Sequence, residues 1–125
     1  MMIKYLILKM MNAIMSSKQF IKIRNLIEKE FSHAVTKHPK FCDHFIDESA
    51  RTWAEAEMRI KAKNSQPPEY ADCVLMEEVA EAFSAYSKGE LDNALHEFAQ
   101  CGAVVVRCMQ YITNQLDQEQ KGTQN

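Results

Sequence analysis

Hydrophobic positions recur at helical spacing in five stretches of this chain. Ile3, Leu6, Ile7, Met10, Met11 and Ile14 follow the i, i+3, i+4, i+7 pattern of an amphipathic helix. Ser16 and Ser17 interrupt that pattern, and Gln19, three residues after Ser16, gives the spacing of a capping box. Phe20, Ile23, Ile27, Phe31 and Ala34 then mark one face of a second helix, which ends near His38-Pro39. A connector is expected from Phe41 to Phe45. A third helix follows over 47–63, with Ile46, Trp53, Ala56 and Ile60 turned inward. Asn64-Ser65-Gln66-Pro67-Pro68 is the clearest break in the chain. Beyond it, two helices are predicted at 69–87 and 91–117, joined by Ser87-Lys88-Gly89-Glu90. Gly89 is a natural helix stop and the link is short, so these two should pack antiparallel. The polar tail, 118–125, is expected to fray into disorder.

Composition narrows the fold class. With 125 residues the chain suits one domain, and 3 Gly and 3 Pro are too few for a sandwich or barrel of many short strands. The expectation is therefore all-α, a single helical bundle over 1–125. Hydrophobic residues at 46% and charged residues at 26% give the profile of a soluble globular protein. The apolar N-terminal run is too short to span a bilayer and is split by Lys4 and Lys9, which also spoils a signal peptide. A cytoplasmic protein without membrane association is expected, with Met11 or Met15 as alternative starts. A net charge of -2 argues against a nucleic-acid partner and leaves small polar ligands open. Cys42, Cys73, Cys101 and Cys108 match no paired framework, and Cys101 and Cys108, seven apart, read as small core residues.

Carboxylates interrupt the apolar pattern of the last two helices. In 69–87, Leu75, Val79, Ala82, Phe83 and Tyr86 form one apolar stripe. An adjoining stripe runs Ala71, Val74, Glu78, Glu81, Ala85, with Glu77 at its edge. In 91–117, Leu91, Leu95, Phe98, Gly102, Val105, Met109, Ile112 and Leu116 repeat at steps of four and three, a packing seam. The second stripe, Ala94, Glu97, Cys101, Val104, Cys108 and Tyr111, has Glu97 as its one charge. Burying ionised carboxylates together is costly, because each raises the pKa of the next. Mg²⁺ or Mn²⁺, hard cations that take oxygen ligands, would remove the conflict.

Glu77-Glu78-Val79-Ala80-Glu81, followed after fifteen residues by Glu97-Phe98-Ala99-Gln100, resembles the EExxE…ExxD signature of the MazG-like, all-α nucleoside-triphosphate pyrophosphohydrolases. The wider run LMEEVAEAFSAYSKGELDNALHEFAQCGAVVVRCMQYI is similar to phage and prophage members. The likeness covers about 70–113, within a helical core of about 69–117. It implies hydrolysis of an NTP or dNTP to the monophosphate and pyrophosphate. It implies Mg²⁺ (or Mn²⁺) held by Glu78, Glu81 and Glu97, with Glu77 as a further ligand or as the group that orients the attacking water. Gln100 stands where the family has its last acidic ligand; its carbonyl can coordinate the ion but adds no charge. Arg107, seven residues beyond Gln100 on a similar face, would contact phosphate oxygens. Members are usually dimers or tetramers, so a homo-oligomer is expected.

Two other readings compete. A MazG-like helical protein that has lost catalysis would act as a nucleotide-binding or protein-interaction module, which Gln100 favours and the intact EExxE opposes. His38, Cys42 and His44, with Asp43 between, offer an irregular zinc-like spacing that lacks a fourth ligand.

Overall fold

The computed structural model describes residues 2–3, 16–43 and 49–123, and within them the backbone forms helices and no strand. The α-helices are α1 (Ser17–Lys37), α2 (Ser49–Asn64), α3 (Ala71–Ser87) and α4 (Leu91–Thr123). A short 3-10 turn at Phe41–Asp43 follows α1. Most of the expected N-terminal helix, together with Phe45 and Ile46, lies outside the described residues. No described helix is long and apolar enough to cross a membrane.

The chain falls into two compact units. One comprises α1 and the part of α4 from Met109 onward. Here Ser16 caps α1, its hydroxyl accepting from the Gln19 backbone N–H at 3.2 Å. Only that half of the capping box forms. The Gln19 side chain donates instead to Asn114 Oδ1 of α4 at 2.6 Å. Ile23 is the buried anchor of α1, whereas Phe20, Ile27 and Phe31 of the same predicted face are exposed.

The second unit, residues 40–108, holds α2, α3 and the first half of α4. Helices α2 and α3 pack on one another. The contacts pair late residues of α2 with early residues of α3: Asn64 Nδ2 donates to the Cys73 carbonyl, and the Trp53 ring stacks on Phe83 at 4.8 Å. The two helices are thus antiparallel. Phe83 also meets Phe98 of α4 edge-on at 5.2 Å, so its ring joins three helices. Ala80, Ala82, Ser84 and Ala85 are the buried residues of α3. Small side chains at these positions let neighbouring backbones approach closely, as a helix covered on two sides requires.

Helix α3 stops as the sequence predicts. Gly89 adopts φ +78°, its N–H bonds the Tyr86 carbonyl, and the Glu90 N–H reaches back to Ala85, the paired bonds of a Schellman motif. Helix α4 starts at Leu91 and continues through Gln118 to Thr123, past the point where a frayed tail is expected.

Its faces differ from the pattern reading. Leu91, Leu95, Phe98, Val105, Ile112 and Leu116 of the predicted seam are all exposed, Leu95 at 73%. The stripe that carries Glu97 does face protein over most of its length: Ala94 is buried, and Glu97, Cys101, Val104 and Cys108 are half-buried, while Tyr111 at its end is exposed.

Candidate metal centre

Helix geometry brings the signature carboxylates together. Glu78 and Glu81, one turn apart on α3, share a face, and the turn at Gly89 folds α4 back so that Glu97 meets them. One oxygen of each carboxylate lies within 4.8 Å of the others. All three side chains are half-buried. Oxygens on one Mg²⁺ are separated by at most about 4.2 Å, twice its bond length, so a small side-chain adjustment would let the three share an ion. Three carboxylates with an amide beside them form a hard, all-oxygen donor set, which fits Mg²⁺ or Mn²⁺ and not a soft metal.

The protein's own groups meet part of the charge. With its amide turned so that both ends find partners, Gln100 donates to Glu78 Oε2 at 2.6 Å and to Glu97 Oε2 at 2.8 Å. Its carbonyl then accepts from His96 Nε2 at 3.2 Å. Gln100 thus cross-links α3 and α4.

Burial pushes the Glu78 carboxyl above the ordinary carboxylate value, and the Glu81 and Glu77 charges add to that push. Burial likewise raises Glu81, which shares a hydrogen bond with Glu97. The same field reaches Cys101, whose thiol is raised first by burial and then by Glu78 and Glu97. Cys101 is therefore held as a thiol, poorly suited to act as a nucleophile.

A second layer comes from α2, which the sequence signature does not include. Lys61 Nζ lies 2.7 Å from Glu57 Oε1 and 3.4 Å from Glu81 Oε1, tying α2 to the carboxylate cluster. Its hydrogen bond to Lys61 holds the Glu57 carboxyl below the ordinary range. The ammonium of Lys61 is raised in turn, chiefly by that bond. Glu57, Lys61, Glu81, Ser84, Lys88, Glu90, Asn93 and Glu97 line most of an open groove of about 260 Å³.

Glu57 and Lys61 escape a sequence reading because an i, i+4 Glu–Lys pair is the commonest pattern of a solvated helix surface. The available signal is their position beside the inward residues Trp53, Ala56 and Ile60. Among the other candidates, Glu77 is half-buried at the edge of the cluster. Arg107 is exposed, and the cations that line the groove are Lys61 and Lys88. His38 and Cys42 of the zinc-like spacing are exposed, and His44 lies outside the described residues. Among the described residues, Glu78, Glu81 and Glu97 form the one group of potential metal ligands.

Compared with known proteins, the chain matches no family model, no curated protein and no solved structure.

Proposed function

We propose that the protein is a metal-dependent nucleoside-triphosphate pyrophosphohydrolase, releasing pyrophosphate from an NTP or dNTP and leaving the monophosphate. The observation that carries this reading is the convergence of Glu78, Glu81 and Glu97 from two helices to within 4.8 Å. The resemblance of these residues to the MazG-like signature supplies the reaction. Glu78, Glu81 and Glu97 would hold Mg²⁺ or Mn²⁺, with the Gln100 carbonyl as a neutral donor once its amide turns. The ion would supply charge neutralisation at the phosphates and would polarise a bound water for attack.

Within this scheme Glu77 orients the attacking water. Lys88 is favoured over Arg107 as a phosphate contact, because it lines the groove beside Glu81 and Glu97. The exposed apolar seam of α4 supports a homodimer or tetramer. Four free cysteines suit a reducing cytoplasm.

The test is pyrophosphate release over a panel of NTPs and dNTPs with Mg²⁺ or Mn²⁺. Turnover by the parent and its loss in Glu97→Gln is the expected result. Absence of pyrophosphate from every nucleotide at millimolar metal would refute the activity.

One observation favours a second reading. The Gln100 amide bridges Glu78 and Glu97 with two short hydrogen bonds, which suits a cluster kept together without turnover. On that reading the protein is a MazG-like scaffold that binds a nucleotide or a protein partner.

A further inference from the structure

Resting on the metal reading above, we propose that Glu57 and the Ser84 hydroxyl form a further wall of the metal site, accepting hydrogen bonds from the ion's water shell, and that the Lys61 ammonium is the protein's own cation which an incoming divalent ion displaces from Glu81. Three observations point there. The first is the Lys61 contact pair. A single nitrogen lies 2.7 Å from Glu57 and 3.4 Å from Glu81, so one cation already bridges the outer carboxylate to a member of the triad. A divalent ion brought to Glu81 must compete with that ammonium.

The second observation is Ser84. Its side chain is 2% exposed and lines the groove, yet its Oγ has no hydrogen-bond partner. No group stands in hydrogen-bonding geometry to it, although the Glu57 carboxylate is near enough for the hydroxyl to help hold that carboxyl below its ordinary range. A buried hydroxyl in this state loses its bonds to water and gains none from the protein, so a water or ligand in the groove would complete it. Neighbouring residues do not lack partners in this way: Ser87 Oγ donates to the Phe83 carbonyl.

The third observation is room. A cavity of about 260 Å³ accommodates several waters at about 30 Å³ each. Mg²⁺ gives up its waters reluctantly and keeps several of them when bound. A carboxylate and a hydroxyl facing such a volume can hold that shell without touching the ion. Glu57 and Ser84 are therefore positioning residues, acting on the ion through its water. This arrangement recruits a carboxylate from α2, a helix outside the EExxE…ExxQ segment. It would compensate for the charge that Gln100 does not supply.

The experiment is calorimetric titration of the full chain with Mn²⁺ after chelator treatment, for the parent, Glu57→Gln, Lys61→Met, Ser84→Ala and the exposed control Glu55→Gln. Loss of an outer-layer partner predicts about tenfold weaker binding for Glu57→Gln. Ser84→Ala should also bind more weakly while melting no lower than the parent in chelator. Lys61→Met should bind about two- to fivefold tighter, since a competing exposed charge pair is removed. Glu55→Gln should match the parent. Opposite signs for positions 57 and 61 are the decisive readout, because a merely structural salt bridge would weaken binding from either side. If Lys61→Met fails to fold, Lys61→Gln, which keeps a hydrogen-bond donor, takes its place. Equal losses at 57 and 61, or parent-like binding by Glu57→Gln, would overturn the proposal and leave the triad standing. A parent that binds no Mn²⁺ would overturn the metal reading itself, and this inference with it.

Discussion

At the scale of single residues, the cluster makes its own stability depend on pH. Glu78 and Glu81 titrate above the ordinary carboxylate value of 4.5, chiefly because they are buried. Below that value folded and unfolded chains both hold the protons, and these groups do not affect stability. As pH rises past it the unfolded chain releases its protons first, so stability falls through the raised folded values. Glu57 acts oppositely, since its lowered value protects the fold above the ordinary range and is lost only on the acid side of it. In chelator, the melting temperature attributable to the cluster should therefore decline from about pH 4.5 to pH 7, with Glu78→Gln melting higher than the parent at pH 7 and declining less. A parallel decline in both proteins would show that the slope has another source. Gln100 gives a second prediction. Replacing it with Asp removes the donor shared by Glu78 and Glu97, so Gln100→Asp should lose about 1–3 kcal/mol in chelator. Saturating Mg²⁺ should then stabilise Gln100→Asp more than the parent, because a ligand that binds only the native state adds stability in proportion to its affinity. Thermal melts of both forms with and without Mg²⁺ check this, and no Mg²⁺-dependent shift in either would sink the metal centre.

Elements show where periodicity is enough and where it is not. Gly89 was legible because only a residue tolerant of positive φ suits the stop between two short-linked helices, and the φ of +78° bears this out. Gly89→Ala would meet no atom within 4 Å, so its cost is purely that of the backbone, about 1–2 kcal/mol. Gly102, in the interior of α4, has equally open space; Gly102→Ala should stabilise by about 0.5–1 kcal/mol, giving melting shifts of opposite sign at the two positions. The carboxylate site was legible for the same kind of reason: Glu78, Glu81 and Glu97 interrupt apolar stripes, and a short link forces those stripes to face each other. The α2 contribution was not, because Glu57–Lys61 obeys the pattern of a solvated pair and nothing local reveals that Glu81 lies beyond it. Nor could the buried run Ala80, Ser84 be singled out, since small residues carry little signal in a hydrophobic pattern. Residues 69–87 and 91–117 match α3 and α4 closely at their inner ends, where caps act, and poorly beyond 117, where a polar helix continues without an apolar stripe to mark it.

For the molecule as a whole, the question is what covers the outer face of α4. Its four-and-three repeat has the period of a helix that packs along a second helix, yet Leu91, Leu95, Phe98 and Val105 of that repeat are all exposed. A sequence pattern cannot say whether such a seam meets its own chain or another one, which is why, of the two apolar stripes expected to be covered, only the one that carries Glu97 packs within the chain. A second copy of the chain would supply the same repeat and satisfy both faces. The full prediction is that the protein is a homodimer or tetramer, that its melting temperature rises with concentration, and that Leu95→Glu abolishes both properties. The choice of Leu95 rests on its 73% exposure. In a monomer that side chain is solvated, and the substitution should change stability by no more than about 0.5 kcal/mol. In a dimer it would bury an unpaired charge at the interface, at a cost of about 3–5 kcal/mol, enough to dissociate most assemblies of modest affinity. Light scattering across a concentration series, with melts at each concentration, separates the outcomes. A parent that remains monomeric throughout, with Leu95→Glu indistinguishable from it, would mean that the seam is solvated and that any nucleotide pocket must be completed within one chain.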